Sequence, residues 1–175
     1  LMREHKFDYR DVEIVEVDAA AGVMMYSEPE DGLQGKFSIR YNLAAALVEG
    51  KVDNDTFTDE KVKDPLILET IKKVRPNVLP RGVRESQMHG EAPMAVHTRV
   101  RLKDGREFDR AVPIDHLLGR SQNHWGFENI KGKFRANALL ALPEHQVEEA
   151  IRVWGDMEQI EDLDRAVETL VAAKG

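Results

Sequence analysis

The chain holds 175 residues, 42% hydrophobic and 33% charged, the balance of a soluble globular protein long enough to bury a real core. Lys and Arg number 25 against 32 Asp and Glu, and this net charge of −7 makes a poor general binder of nucleic acid or of anionic membranes. There are no cysteines, which excludes disulfides, zinc–thiolate sites, cysteine nucleophiles and cysteine-ligated iron–sulfur clusters.

Val12, Ile14, Val15 and Val17 predict a strand with little face polarity. Ala20 to Gln34, with Gly22, Pro29 and Gly32, reads as a loop long enough to be functional. Gly35 to Glu49 reads as a helix closed by Gly50. On a helical projection Phe37, Tyr41, Ala44, Ala45 and Val48 share one arc, and Ile39, Leu43, Ala46 and Leu47 another. Only Ser38, Asn42 and Glu49 make a polar stripe, with Arg40 alone between Leu47 and Ala44. A helix apolar on most sides is expected to be buried on most sides. Thr58 can cap a short turn, and Asp64-Pro65 starts a helix whose Leu66, Ile67, Ile71 and Val74 run to Arg75-Pro76. Asn77 to Pro93 reads mostly as loop.

Val96, Thr98, Val100 and Leu102 alternate with His97, Arg99, Arg101 and Lys103, a half-buried strand, and Asp104-Gly105 marks the turn after it. The pattern favours a three-residue loop that pairs Leu102 with Phe108 and Thr98 with Val112. Arg101 would then face Asp109, and Lys103 would face Glu107. Gly119 to Gly126 reads as a polar loop. Three helices follow. The first carries Phe127, Ile130, Phe134, Ala138 and Ala141, and Pro143 opens the second with Val147, Ala150, Ile151 and Trp154. The third carries Ile160, Leu163, Val167, Leu170 and Val171. The fold class is α+β: a small, mostly antiparallel sheet packed with helices, and a helical part over residues 127–175.

The basic stripe of His97, Arg99, Arg101 and Lys103 is the one concentrated positive surface, and acids on the paired strand would largely satisfy it. His5, His89, His97, His116, His124 and His145 are scattered without compact metal-ligand spacing, so no metal site is expected. No glycine pattern supports nucleotide binding, and no GxSxG elbow occurs. In Asn123-His124-Trp125-Gly126 the Trp is expected to anchor the loop on the following helix. Arg40 is a permanent cation on a helix short of exposed faces, a position that usually meets an acid or a bound anion. Tyr41 is a phenol beside an apolar arc, able to donate a hydrogen bond or, if perturbed, a proton.

The run from Gly35 to Val52 resembles the MmgE/PrpD family, whose smaller domain carries K-F-S-x-x-Y-x-x-A-x-A-L-x-x-G; here it is Lys36-Phe37-Ser38, Tyr41, Ala44, Ala46-Leu47 and Gly50. Weaker matches keep the same order: Met2 to Val17, Phe57-Thr58-Asp59-Glu60 with Asp64-Pro65, Val100 to Arg106, and Lys133-Phe134 with the last helix. The resemblance implies that residues 1–175 form the lid domain of a larger enzyme. In that enzyme a separate, N-terminal helical domain supplies histidines and an aspartate, and the active site lies between the two domains. It implies a cofactor-independent lyase or isomerase acting on a small di- or tricarboxylate, such as a 2-methylcitrate dehydratase. Tyr41 would be the lid's catalytic residue, with Lys36, Ser38 and Arg40 beside it as substrate contacts. No metal, nucleic acid or membrane partner is implied, and a homodimer or other homo-oligomer is expected. One departure stands out: His124 replaces the proline that the family often places after the Asn of its G-x-x-x-N-P loop. The charged N-terminus, Leu1 to Arg10, lacks a signal peptide's apolar stretch, and no run is apolar enough to span a membrane, so a cytoplasmic location is expected. A free-standing binding or self-association module with the same fold is the alternative.

Overall fold

A computed structural model describes residues 1–20, 25–79, 94–113 and 124–172. His89, His116 and most of the loops expected over 77–93 and 119–126 lie outside the described residues. The chain divides into two compact units, Leu1–Asn123 and His124–Gly175.

The first unit is organised by β1, Val12–Ala20, whose buried Val12, Val15 and Val17 face one side while Glu13, Glu16 and Asp18 face the other. Val12 and Val15 are an odd number of residues apart and would fall on opposite faces of a regular strand. A register shift between Val12 and Ile14 turns both inward. Strand β2, Val74–Leu79, lies parallel to β1 on one side. On the other side β3, Met94–Leu102, runs antiparallel to β1, and β4, Glu107–Pro113, runs antiparallel to β3. The order β2-β1-β3-β4 makes the sheet mixed and mostly antiparallel, and the fold α+β.

Two expectations need correction here. The helix begun by Pro65 ends at Ile71, and Val74 to Leu79 form β2 where helix and then loop were expected. Pro76 is tolerated because β2 is an edge strand, where a missing N–H costs least. The β3–β4 loop does hold three residues, Lys103 to Gly105, but it closes directly on Leu102, whose N–H donates to the Arg106 carbonyl at 2.9 Å. Gly105 takes the left-handed φ of 88° that this closure needs. Val100 therefore faces Phe108 and Thr98 faces Arg110, while Arg101 faces Glu107 and Arg99 faces Asp109. The offset from the expected register is two residues, so each side chain keeps its face and changes only its partner.

The helix expected over Gly35–Glu49 is two helices, α2 at Gly32–Lys36 and α3 at Ile39–Glu49. The break falls at Phe37-Ser38 because the Ser38 hydroxyl caps α3, accepting from the Tyr41 N–H at 3.2 Å. Gly50, at φ 71°, ends α3. Thr58 caps α4, Asp59–Val62, and Asp64 caps α5, Pro65–Ile71. Helices α3 and α5 pack together, α3 also meets β2, and Tyr41, Ala44, Ala45, Leu47, Ile67 and Ile71 join the sheet valines in one core. A short α1, Met2–His5, leads to Phe7, whose ring stacks on Phe108 with centroids 5.5 Å apart.

In the second unit α6 spans Phe127–Ala138, α7 Glu144–Gly155 and α8 Leu163–Glu168. The last is shorter than the expected Ile160–Val171. Val147, Ala150 and Ala166 are buried, and Arg135 on α6 forks onto Glu148 of α7 at 2.6 and 2.9 Å. Gln146 caps the end of α8 through the Thr169 and Val171 carbonyls at 3.1 and 2.8 Å. Among the described residues no helix is long and apolar enough to cross a membrane.

Candidate functional site

The α2–α3 junction carries all four expected site residues, and it places them in different surroundings. Tyr41 is fully buried. Its ring lies against Gly35, where an added Cβ would sit 3.2 Å from it, and 6.2 Å from the Phe57 ring. Its hydroxyl donates to the Thr56 carbonyl. Burial pushes the phenol up to about 12, helped by the Glu49 and Asp64 carboxylates, so Tyr41 stays protonated across the physiological range. Ser38 is equally buried, and its hydroxyl is engaged as the helix cap.

The cations are more accessible. Lys36 is exposed, with Nζ 5.9 Å from the Phe57 ring centroid. Arg40 is half-buried and crosses between three segments. Its Nη1 donates to the Ser27 hydroxyl at 2.9 Å, and its Nη2 to the Ile71 carbonyl at 3.2 Å. Its Nε is buried without a partner among the described residues. Among the described residues no acidic side chain pairs with this cation, where an acid or a bound anion is expected. Met25, Leu33 and Phe37 nearby in sequence are exposed apolar side chains.

Residues that the sequence reading did not single out build this junction. Gly32 lies so close to the 54–57 turn that a Cβ would fall 2.0 Å from the Phe57 carbonyl oxygen. Glu49 accepts from Lys61 Nζ at 2.5 Å and from the Thr56 hydroxyl at 3.3 Å, holding the turn that receives the Tyr41 hydroxyl. The spacing of Gly32 and Gly35, one helical turn apart, was the available signal.

His97, Arg99 and Arg101 meet carboxylates on the outer face of the sheet, as expected in kind but with other partners, whereas Lys103 lies in the turn with no ion pair among the described residues. Arg101 forks onto Glu13 of β1 at 2.9 and 3.3 Å, and Arg99 onto Asp18 at 3.1 and 2.5 Å. His97 Nε2 lies 3.1 Å from Asp109. Asp18 also accepts from Asn77 at 2.9 Å, so one carboxylate joins β2, β1 and β3. Among the described residues no three His, Asp or Glu side chains converge as metal ligands. In the second unit His124 is exposed, and Lys133 Nζ lies 5.1 Å from the Trp125 ring centroid, which ties the start of the unit to α6.

Comparison with known proteins agrees with the motif. Residues 1–158 match the family model of the MmgE/PrpD C-terminal domain. The cis-aconitate decarboxylase of Mus musculus is 27% identical over 134 residues, covering 77% of this chain and 26% of that protein. That of Homo sapiens is 27% identical over 130 residues, covering 74% of this chain and 25% of that protein. The chain thus spans about a quarter of the length of the curated relatives it matches.

Proposed function

Because the chain belongs to the MmgE/PrpD family through its C-terminal domain, we propose that it is the lid of a lyase or isomerase acting on a small di- or tricarboxylate. The observation that carries the reading is the family match over nearly the whole chain, together with the relatives' activity on a tricarboxylate. The lid would close on a helical domain that supplies the acid–base histidines, and the closed site would exclude water. A dehydration or decarboxylation beside a carboxylate leaves negative charge to be held by cations and hydrogen-bond donors. Lys36 and Arg40 are the accessible cations of this junction. Ser38 positions Arg40 by starting α3.

Tyr41 is a donor held in its protonated form. To reach a substrate oxygen its hydroxyl must exchange the Thr56 carbonyl for that oxygen, which requires the 54–57 turn to yield on closure.

The test is turnover of cis-aconitate and of 2-methylcitrate by this chain joined to, or mixed with, a family helical domain. We expect turnover by the pair and none by the 175-residue chain alone. Turnover of neither acid by the pair overturns the reading. In the active pair, Tyr41→Phe should cut kcat with the circular dichroism spectrum retained, and an unchanged kcat would make Tyr41 structural.

A further inference from the structure

The guanidinium of Arg40 differs from four other described arginines that fork onto carboxylates. Arg10, Arg101 and Arg135 each lay Nε and Nη2 on a carboxylate, of Asp8, Glu13 and Glu148 respectively. Arg99 lays both terminal nitrogens on Asp18. Arg40 holds only neutral acceptors: the Ser27 hydroxyl at 2.9 Å, the Ser27 carbonyl at 3.4 Å and the Ile71 carbonyl at 3.2 Å. No carboxylate lies within salt-bridge distance of it among the described residues, and its Nε–H is buried and unpartnered.

A half-buried cation with neutral contacts and one orphaned donor is under-compensated. Its tie to Ser27 is the accessible one. Ser27 is exposed, whereas Ile71 is buried in the core at the end of α5. A carboxylate brings a full negative charge and can take two parallel N–H bonds from a guanidinium, neither of which a neutral hydroxyl offers.

We propose that Arg40 is a carboxylate-docking cation held in reserve by Ser27. An incoming carboxylate displaces the Ser27 hydroxyl and takes the outer edge of the guanidinium, in the end-on arrangement that Asp18 makes with Arg99. The Ile71 carbonyl keeps the side chain in place during the exchange. Ser27 is thus an internal competitor that sets the affinity of the site, and its release frees the exposed Met25–Ser27 stretch from α3. The identity of the docking group as a substrate carboxylate rests on the function proposed above, while the exchange itself rests on the geometry alone.

The test is a titration of the 175-residue chain with tricarballylate, a small tricarboxylate with no reaction to undergo, followed by calorimetry for every variant and by NMR at the Arg40 Nε–H where the arginine is kept. We expect a saturable shift that sodium chloride at matched ionic strength does not reproduce. Ser27→Ala should tighten binding about two- to five-fold, because the competing hydroxyl is gone. Arg40→Lys should weaken it at least about tenfold, since an ammonium cannot offer the planar fork. A shift that is absent, or equal in chloride, overturns the proposal. So does a Ser27→Ala chain that binds no more tightly than the original, a comparison that stands even if Arg40→Lys does not fold. No turnover enters the readout, so failure here is told apart from failure of the lyase or isomerase reading.

Discussion

Tyr41 donates its hydroxyl proton to the backbone carbonyl of Thr56, and this bond ties the first turn of α3 to the one buried residue of the 54–57 turn. Both groups are shut off from water, so neither has a substitute partner. Tyr41→Phe keeps the ring in its cavity but strands the Thr56 carbonyl, an omission that costs about 1–3 kcal/mol. Urea unfolding of the two chains should show a lower midpoint for the variant with an unchanged m-value.

The same bond predicts a pH dependence with a definite sign. The folded Tyr41 is held up to about 12, whereas the unfolded phenol ionises near 10. A group whose folded value is raised contributes stability that is complete below the unfolded value and is lost as pH rises through the folded one. Stability should therefore fall between about pH 10 and pH 12, by roughly 2–3 kcal/mol from this residue. Tyr41→Phe should flatten that part of the curve in denaturant titrations taken across the range. An equal decline in both chains would assign the alkaline loss to other groups.

How much of this was legible in the sequence depends on how local the cause was. The β1 valines and the alternation from Val96 to Leu102 announce half-buried strands because side-chain parity is a property of neighbours. Strand β2 was hidden because Val74 continues the helical spacing of Ile67 and Ile71, and its pairing with β1 joins residues far apart in sequence. The break before α3 was hidden because Ser38 reads equally well as part of a polar stripe and as a cap; only the bond from Tyr41 N–H tells them apart. The candidate site residues are named through their motif, whereas their partners are not. Ser27, Thr56 and Ile71 meet Arg40 and Tyr41 only after the chain has folded.

Gly32 is required by space rather than by dihedral freedom. A methyl group there would overlap the Phe57 carbonyl oxygen, and because the obstacle is backbone it cannot swing aside. Gly32→Ala should destabilise the chain by about 3 kcal/mol or more. It should also separate α2 from the 54–57 turn, with loss of the Gly32 N–H bond to Asp59, now 2.9 Å. Thermal unfolding measures the first effect, and amide exchange at Gly32 the second.

Ser38→Ala probes the junction from the other side. The substitution leaves no cavity to speak of but removes the acceptor for the Tyr41 N–H, a cap worth about 1 kcal/mol. Asn42 still bonds the Ser38 carbonyl at 2.7 Å through its side chain, so α3 should fray at its first turn rather than unfold. Faster amide exchange limited to Ile39–Tyr41 is the expected pattern, and Ser38→Thr, which keeps the hydroxyl, should restore protection.

Asp18 concentrates the electrostatics of the outer sheet face on one carboxylate. Its side chain is only 13% exposed, and it receives the Arg99 fork and the Asn77 amide while His97 Nδ1 lies 3.5 Å away. Isolated surface pairs are worth little, but a partly buried carboxylate shared by three strands has fewer ways to be replaced by water. Asp18→Ala leaves Arg99 without its fork and Asn77 without its acceptor, and should cost about 1–3 kcal/mol. Arg101 and Glu13, exposed at 47% and 51%, form the internal comparison on the same face. Glu13→Ala should cost about 0.5 kcal/mol or less, and the small loss should fade in high salt. If the two substitutions prove equal in denaturant titrations, the Asp18 network adds nothing beyond ordinary surface pairing.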